Sequence, residues 1–258
     1  MTEAEQRGVL GRKLFAEFLG TALLVTAVVG SGIAAQRMSP NDFGLELFEN
    51  AAATAAALVA IILALGPISG AHLNPVVTLA DRLLGGHLQW RDTTTYIAAQ
   101  IAGGLAGVAL ANLMFGLPAV ELSTKARSAG HLWLSESVAT FGLLLVIFGV
   151  VRSRRASAAP FAVGAYIGAA YFFTSSTSFA NPAVTIARTV TNTFSGIKPS
   201  SAPMFIVFEI VGGAIAVAAI IILYPTIRSG ADDVVLPHRG SESGPSPPRD
   251  VVVAHEDP

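Results

Sequence analysis

The chain contains, within otherwise apolar sequence, the segment Ser69-Gly70-Ala71-His72-Leu73-Asn74-Pro75. Asparagine is a favoured N-cap, proline is favoured at the first position of a helix, and apolar residues at helical spacing follow the proline. We therefore predict a short helix that begins at Pro75. The Ser/Gly segment before it is irregular backbone, which an apolar environment tolerates only where it is buried in protein or lines a water-filled cavity.

The same pattern occurs again as Ser175-Ser176-Thr177-Ser178-Phe179-Ala180-Asn181-Pro182. It predicts a second short helix, from Pro182 to about Thr191. Two short helices whose N-termini meet, each preceded by irregular backbone, satisfy both patterns. Such a pair indicates re-entrant half-helices, which enter a membrane and return to the side from which they came.

The composition places most of the chain in lipid. Among 258 residues there are 16 Lys and Arg against 17 Asp and Glu, and charged residues make up 13% of the chain, about half the roughly 25% of a soluble domain. Hydrophobic residues reach 52% and the mean hydropathy is +0.61. The absence of cysteine excludes disulfides and thiolate metal sites. The near-zero net charge argues against a nucleic-acid partner.

Windows of about twenty residues with almost no charge predict six spanning helices. The predicted spans are Leu14–Ala35, Ala51–Ala71, Thr93–Val120, Leu132–Val151, Ala156–Ala180 and Ala202–Ile227. Nine Lys and Arg residues lie near the span ends on the side of the termini, and five lie in the other loops. By the positive-inside rule both termini face the cytoplasm.

Three paired signatures show that the chain is duplicated. Glu17 in the first span matches Glu136 in the fourth, Gly103-Gly104 in the third matches Gly212-Gly213 in the sixth, and the two Asn-Pro segments lie between them. Each half has three spans, an odd number, so the second half enters the membrane from the opposite side. This predicts an inverted repeat with the functional site at mid-bilayer, between the halves.

These features resemble the aquaporin, or major intrinsic protein, family, which is marked by two Asn-Pro-Ala boxes on half-helices in an inverted three-plus-three repeat. Here the boxes are Asn74-Pro75-Val76 and Asn181-Pro182-Ala183, with Val76 as the departure, and the likeness covers about Lys13 to Ile227. The resemblance implies an all-α membrane protein with six transmembrane helices and two re-entrant half-helices. The Asn74 and Asn181 amides are expected to cap their helices and to donate hydrogen bonds to a solute at the pore constriction.

Members of the family usually carry an Arg directly after the second box, where this chain has Val184. Counting back from each Asn gives Thr54, Ala169 and Ser178 as the other filter positions, all small, which predicts a wide filter. The lack of the Arg resembles a divergent bacterial branch often linked with arsenic handling. Arg188, one turn after Val184, either reaches back toward the missing guanidinium or extends to the outer interface.

The intramembrane acids Glu17 and Glu136 have two interpretations. The resemblance implies that they accept hydrogen bonds from the re-entrant backbone, which we favour over a proton relay. His72 either lines the cytoplasmic half of the pore, where it would titrate near neutral pH, or is a structural histidine. No pair of histidines has metal-ligand spacing, and no nucleotide-binding or catalytic motif is present, so no metal, no cofactor and no enzyme activity are predicted.

We therefore expect a passive channel for water and small uncharged solutes, favouring glycerol-sized solutes or metalloid acids such as arsenous acid, with boric acid and urea also open. The alternatives are a proton-coupled secondary transporter that uses Glu17 and Glu136, and a junction protein with an occluded pore. Expected partners are the lipid bilayer of the cell membrane and further copies in a homotetramer. We expect residues 1–11 to be a cytoplasmic tail, 12–227 the channel domain with repeats at about 12–120 and 131–227, and 228–258 a disordered cytoplasmic tail.

Overall fold

The computed structural model describes residues 2–86 and 88–225. Within these residues the chain forms eight α-helices joined by loops and short 3₁₀ turns. They are α1 (Glu3–Met38), α2 (Phe43–Ser69), α3 (Pro75–Leu83), α4 (Trp90–Met114), α5 (Gly130–Arg152), α6 (Ala159–Phe173), α7 (Pro182–Ala187) and α8 (Ala202–Leu223). The predicted C-terminal tail lies outside the described residues.

Six helical segments are long and apolar enough to cross a membrane, which confirms the six predicted spans. They comprise all the helices but α3 and α7, and the fifth, Ala156–Phe173, joins α6 to the 3₁₀ turn before it. Several boundaries differ. Helix α2 begins at Phe43, eight residues before the predicted Ala51, and α4 ends at Met114, six residues before the predicted Val120. The segment predicted as a tail is helical, because α1 begins at Glu3 behind a capping box formed by Thr2 and Glu5. The fifth predicted span is too long, because α6 ends at Phe173 and residues 174–180 form the irregular re-entrant segment.

The two half-helices begin where the Asn-Pro segments predict. Asn74 and Asn181 are the N-caps of α3 and α7, and a proline occupies the first turn of each helix. Helix α7 is shorter than predicted, because the chain tightens into a 3₁₀ turn at Arg188–Val190. The N-termini of α3 and α7 therefore face each other at the middle of the molecule.

The two halves pack in the same way. Helix α1 lies against α2 and α4, and α5 lies against α6 and α8. A Cβ on Gly103 of α4 would collide with the main chain of Phe18, and one on Gly212 of α8 would collide with that of Ser137. Phe18 follows Glu17 and Ser137 follows Glu136. The matched glycines thus let each pair of helices approach closely beside its buried acid, as the inverted repeat requires.

Candidate functional site

The centre of the molecule is held by the two capping asparagines. Asn74 Oδ1 accepts the N–H of Val76 at 2.9 Å, while its Nδ2 donates to the carbonyl of Ala180 at 2.7 Å. Asn181 Oδ1 likewise accepts the N–H of Ala183 at 3.0 Å, and its Nδ2 donates to the carbonyl of Leu73 at 2.8 Å. Since an amide nitrogen carries two hydrogens, each asparagine caps its own helix, joins the opposite half and retains one N–H donor.

The re-entrant backbone adopts conformations that side-chain-bearing residues rarely adopt. Ala71 and Leu73 have φ of 45° and 51°, and Ser178 and Ala180 have φ of 50° and 49°. Each such residue lowers the stability of the fold by about 1–3 kcal/mol, so the conformation persists only where the surroundings hold it in place. The matching angles in the two halves show that both re-entrant segments adopt the same backbone conformation, as the inverted repeat predicts.

Buried carboxylates hold these segments. Glu17 accepts the N–H groups of His72 and Leu73 at 2.9 and 2.7 Å. Glu136 accepts those of Phe179 and Ala180 at 3.1 and 2.7 Å. Both side chains are fully buried, and neither belongs to the described residues that line the central cavity. This geometry matches the structural interpretation of the two acids and leaves a proton relay without access to the pore.

A cavity of about 70 Å³ passes between the halves at the two asparagines. Its wall is mainly apolar, and its polar side chains gather at the half-helices and toward one end. The lining residues are Leu24, Val28, Thr54, Leu58, Ile62, Ala71, His72, Leu73, Asn74, Val77, Leu143, Ile147, Val163, Ile167, Tyr171, Ser178, Phe179, Ala180, Asn181, Val184 and Arg188. We call this cavity the lumen.

A second cavity of about 600 Å³ lies at one end of the lumen. Its lining includes Phe43 at the start of α2 and Lys125 in the loop between α4 and α5. Counting spans places both residues on the membrane face opposite the N-terminus. Tyr171 and Arg188 line both cavities, so these two side chains form the boundary between the lumen and what we call the vestibule.

Three of the four predicted filter residues lie where the prediction puts them. Thr54, Ser178 and Val184 are buried and line the lumen. The hydroxyl oxygen of Ser178 is buried and has no hydrogen-bond partner within the described residues. Ala169 is the exception, because it is exposed and does not line the lumen.

The α6 side of the lumen is formed instead by Val163, Ile167 and Tyr171. Ala169 lies two residues beyond Ile167, about 200° around the helix, and therefore faces outward. Counting back from Asn181 fails because it crosses the irregular segment 174–180, whose length sets the helix register. The neighbouring Gly168 and Ala170 do not line the lumen either, so the expectation of a small residue on this wall is wrong.

Tyr171 is the functional residue that the sequence reasoning missed. Its side chain is buried, and its hydroxyl donates to Thr54 Oγ1 at 3.3 Å on one side of the lumen mouth. The available signal was the four-residue spacing of Val163, Ile167 and Tyr171, which marks one helix face independently of the loop. The mouth is therefore narrower and more polar on the α6 side than four small residues would make it.

Arg188 is buried beside the lumen. It is only 3% exposed, its Nε donates to the carbonyl of Ser195, and its Cζ lies 3.4 Å from the centre of the Phe179 ring. The expectation that it extends to the outer interface is therefore wrong. The guanidinium is fixed beside the lumen, one turn beyond the position that Val184 occupies.

His72 lines the lumen and also has structural contacts. The imidazole lines the lumen on the side of α3, while its Nδ1 lies 3.2 Å from Thr78 Oγ1 and its ring lies 5.6 Å from that of Tyr96. The ring is thus positioned by neighbours and still forms part of the lumen wall.

A sequence model of the family described as "Major intrinsic protein" matches residues 5–180. The chain belongs to the major intrinsic protein family. As a member of this family, the protein is a passive membrane channel for water and small solutes, and it is not an enzyme. The matched residues include both re-entrant segments up to the residue before Asn181.

Two relatives and one solved structure illustrate the likeness. The chain is 52% identical over 209 residues to aquaglyceroporin AqpS of Rhizobium meliloti (strain 1021), covering 81% of this chain and 88% of that protein. It is 36% identical over 163 residues to aquaporin NIP3-1 of Oryza sativa subsp. japonica, covering 61% and 51%. The aquaglyceroporin structure from Plasmodium falciparum superposes with a TM-score of 0.64 at 21% identity, over 84% of this chain and 98% of that one. At that identity the superposition supports the fold alone.

Proposed function

We propose that this channel conducts glycerol-sized uncharged solutes as well as water, including metalloid acids such as arsenous acid. The observation that carries the proposal is the lumen itself, where an apolar wall surrounds the spare N–H donors of Asn74 and Asn181. A polyol or a metalloid hydroxide can turn its oxygens toward these donors and its other surface toward the apolar wall. A lumen of about 70 Å³ holds several water molecules, since each needs roughly 10–15 Å³ of such volume.

We propose that Thr54, Tyr171, Ser178 and Val184 form the selectivity filter. Thr54 and Tyr171 are joined by a hydrogen bond on one side of the mouth, whereas the buried Ser178 hydroxyl oxygen has no hydrogen-bond partner among the described residues. Val184 presents only methyl groups where many relatives of the family carry a guanidinium. The filter thereby gives a small polyol or metalloid acid both hydroxyl partners and an apolar contact.

The same region opposes cations. Arg188 carries a fixed positive charge at the lumen mouth, and the N-termini of α3 and α7 add partial positive charge at the centre. Neutral solutes meet none of this electrostatic barrier, and cations meet all of it. Arg188 can therefore exclude cations from a channel that has no Arg at position 184.

A proton-coupled transporter would need its coupling carboxyls to exchange protons with the pore. Glu17 instead accepts hydrogen bonds from Ser69 Oγ at 2.6 Å and Gln100 Nε2 at 2.8 Å, in addition to the two from the re-entrant backbone. No observation favours coupling over passive conduction, so we retain the channel.

We further propose that the protein lies in the cell membrane with both termini in the cytoplasm and assembles as a homotetramer. The excess of Lys and Arg in the loops on the terminal side supports the orientation. Large apolar side chains exposed on the spanning helices, such as Leu113 and Ile222, suit contact with lipid or with a neighbouring copy.

Stopped-flow light scattering on proteoliposomes tests the solute proposal, with water and glycerol compared and arsenous acid uptake assayed in parallel. We expect fast water permeation together with glycerol or arsenous acid uptake well above that of empty liposomes. Fast water with neither larger solute would contradict the proposal and show that Tyr171 and Arg188 close the mouth to anything larger than water.

A further inference from the structure

The vestibule is lined by three basic side chains, Lys125, Arg127 and Arg188. Among the described residues that line it there is no Asp or Glu. The remaining wall consists of hydroxyl-bearing residues at the end of α6, with Thr174 and Ser175 among them, and of apolar or aromatic side chains. A neutral-solute pore therefore opens at this end into a chamber with concentrated positive charge.

The hydrogen bonds that the structure gives these cations go to main-chain oxygens. Arg127 Nε and Nη1 donate to the carbonyls of Gly196 and Ser176 at 3.3 and 3.4 Å. Lys125 Nζ donates to the carbonyl of Phe194 at 3.2 Å, and Arg188 Nε donates to that of Ser195. Carbonyl oxygens fix the positions of the three groups without neutralising their charge.

Aromatic rings complete the support. The Cζ atoms of Arg127 and Arg188 lie 5.3 and 3.4 Å from the centre of the Phe179 ring, so that this one ring is shared by two cations. Lys125 Nζ lies 5.5 Å from the centre of the Phe194 ring. Rings attract cations but do not cancel their charge, so the repulsion among the three basic groups persists.

The acidic groups near these cations lie outside the vestibule wall. Glu46 is close enough to Lys125 for their charges to interact, and Glu136 is close enough to Arg127. Arg188 interacts in the same way with Glu136 and with Glu209. Glu136, however, accepts hydrogen bonds from the re-entrant backbone. Burial, followed by the neighbouring positive charge of Arg127, lowers the pKa of Lys125. An anion held in the vestibule would oppose this lowering of the Lys125 pKa, because a nearby negative charge favours the protonated ammonium.

We propose that the vestibule binds small tetrahedral oxyanions, of which inorganic phosphate is the simplest example. A guanidinium has five N–H donors and an ammonium has three, so Arg127, Arg188 and Lys125 keep most of their donors after the carbonyl contacts. These donors line one chamber, which suits an anion that accepts several charge-assisted hydrogen bonds at once. The volume of about 600 Å³ admits such an anion together with water.

Binding at this position has a consequence for conduction. Arg188 belongs to both the vestibule and the lumen, so an anion held there stands directly in front of the filter. We expect phosphate on the vestibule side to slow the uptake of a neutral solute, and phosphate on the opposite side to have no such effect. Binding itself is independent of whether the protein conducts glycerol.

The test is equilibrium binding of radiolabelled inorganic phosphate to the full-length protein in lipid nanodiscs, at constant ionic strength set with chloride. The wild-type protein is compared with Lys125→Gln and with the matched control Lys198→Gln. Lys198 is an exposed lysine of the same membrane face that does not line the vestibule. We expect saturable binding that weakens at least fivefold in Lys125→Gln and stays within twofold of wild type in Lys198→Gln.

Three results would overturn the proposal. One is no saturable phosphate binding to wild-type protein that is folded by size-exclusion chromatography. Another is an equal loss in both lysine variants, which would mean diffuse surface charge. The third is displacement of phosphate by an equal concentration of chloride, which would mean that the chamber does not select oxyanions.

Discussion

Replacing Arg188 by Gln removes the fixed charge at the lumen mouth while keeping a long polar side chain. Arg188 is buried beside the filter, and its guanidinium lies against Phe179, which also lines the lumen. A monovalent cation that passes about 6 Å from the guanidinium meets a repulsion of about 3 kcal/mol at an effective dielectric constant of about 20. Because every 1.4 kcal/mol corresponds to about a factor of ten, losing the charge should raise cation permeability about 10- to 100-fold.

The assay is ion leak into proteoliposomes, followed with a trapped pH indicator for protons and a sodium-sensitive dye for Na⁺. Glycerol uptake is measured on the same preparations by light scattering. Glycerol is uncharged, so its permeability should change less than threefold in Arg188→Gln. Arg188→Lys is the matched control, because it keeps the positive charge and should stay close to wild type for both ions.

A variant Arg188→Gln that conducts glycerol and still excludes protons and Na⁺ as well as wild type would refute this reasoning. The barrier would then lie in the half-helix N-termini alone, and Arg188 would serve only to hold the loop through Ser195. Unchanged glycerol uptake guards against mistaking a misfolded variant for this result.

Three further changes test the filter and its support. Val184→Arg should lower glycerol permeability about tenfold with water largely retained, because a long cation fills the mouth, whereas Val184→Leu should have a smaller effect in the same light-scattering assay. Tyr171→Ala should admit solutes larger than glycerol, whereas Ala169→Leu should leave solute permeability unchanged, because Ala169 is exposed. Equal changes of permeability in the two variants would contradict the register given for α6. Glu17→Gln should lower the free energy of unfolding by about 3 kcal/mol or more, because about two charge-assisted hydrogen bonds are lost at roughly 1.5–3 kcal/mol each. Thermal unfolding measures the change, with Glu121→Gln as the exposed-site control. A loss of stability in Glu17→Gln that is smaller than in Glu121→Gln would contradict this prediction.

Much of the fold could be predicted because its determinants are local. Hydropathy alone places six spans, and an Asn-Pro pair fixes the start of each half-helix, since both capping and the conformation of proline depend only on neighbouring residues. The pairing of Glu17 with Glu136 predicts the inverted repeat, because it depends only on the order of signatures. Even the matched glycines follow, because close helix contacts need small side chains.

The site was less predictable where it depends on distances across the fold. The register of α6 depends on the conformation of residues 174–180, and no local rule gives the number of residues in such a loop. Counting back from Asn181 therefore predicts Ala169 as the filter residue, whereas the structure has Tyr171. The position of Arg188 depends on the carbonyl of Ser195 and the ring of Phe179. The hydrogen bonds that join each asparagine to the opposite half link residues more than a hundred positions apart.

The central claim is passive conduction of neutral solutes through the lumen. Its most direct test is the initial rate of glycerol uptake into proteoliposomes as a function of glycerol concentration, with and without an imposed pH gradient. Passive conduction predicts an uptake rate that rises linearly with glycerol concentration and does not change with the pH gradient. A rate that saturates would contradict free diffusion through the lumen, and glycerol accumulation driven uphill by the gradient would establish a coupled transporter.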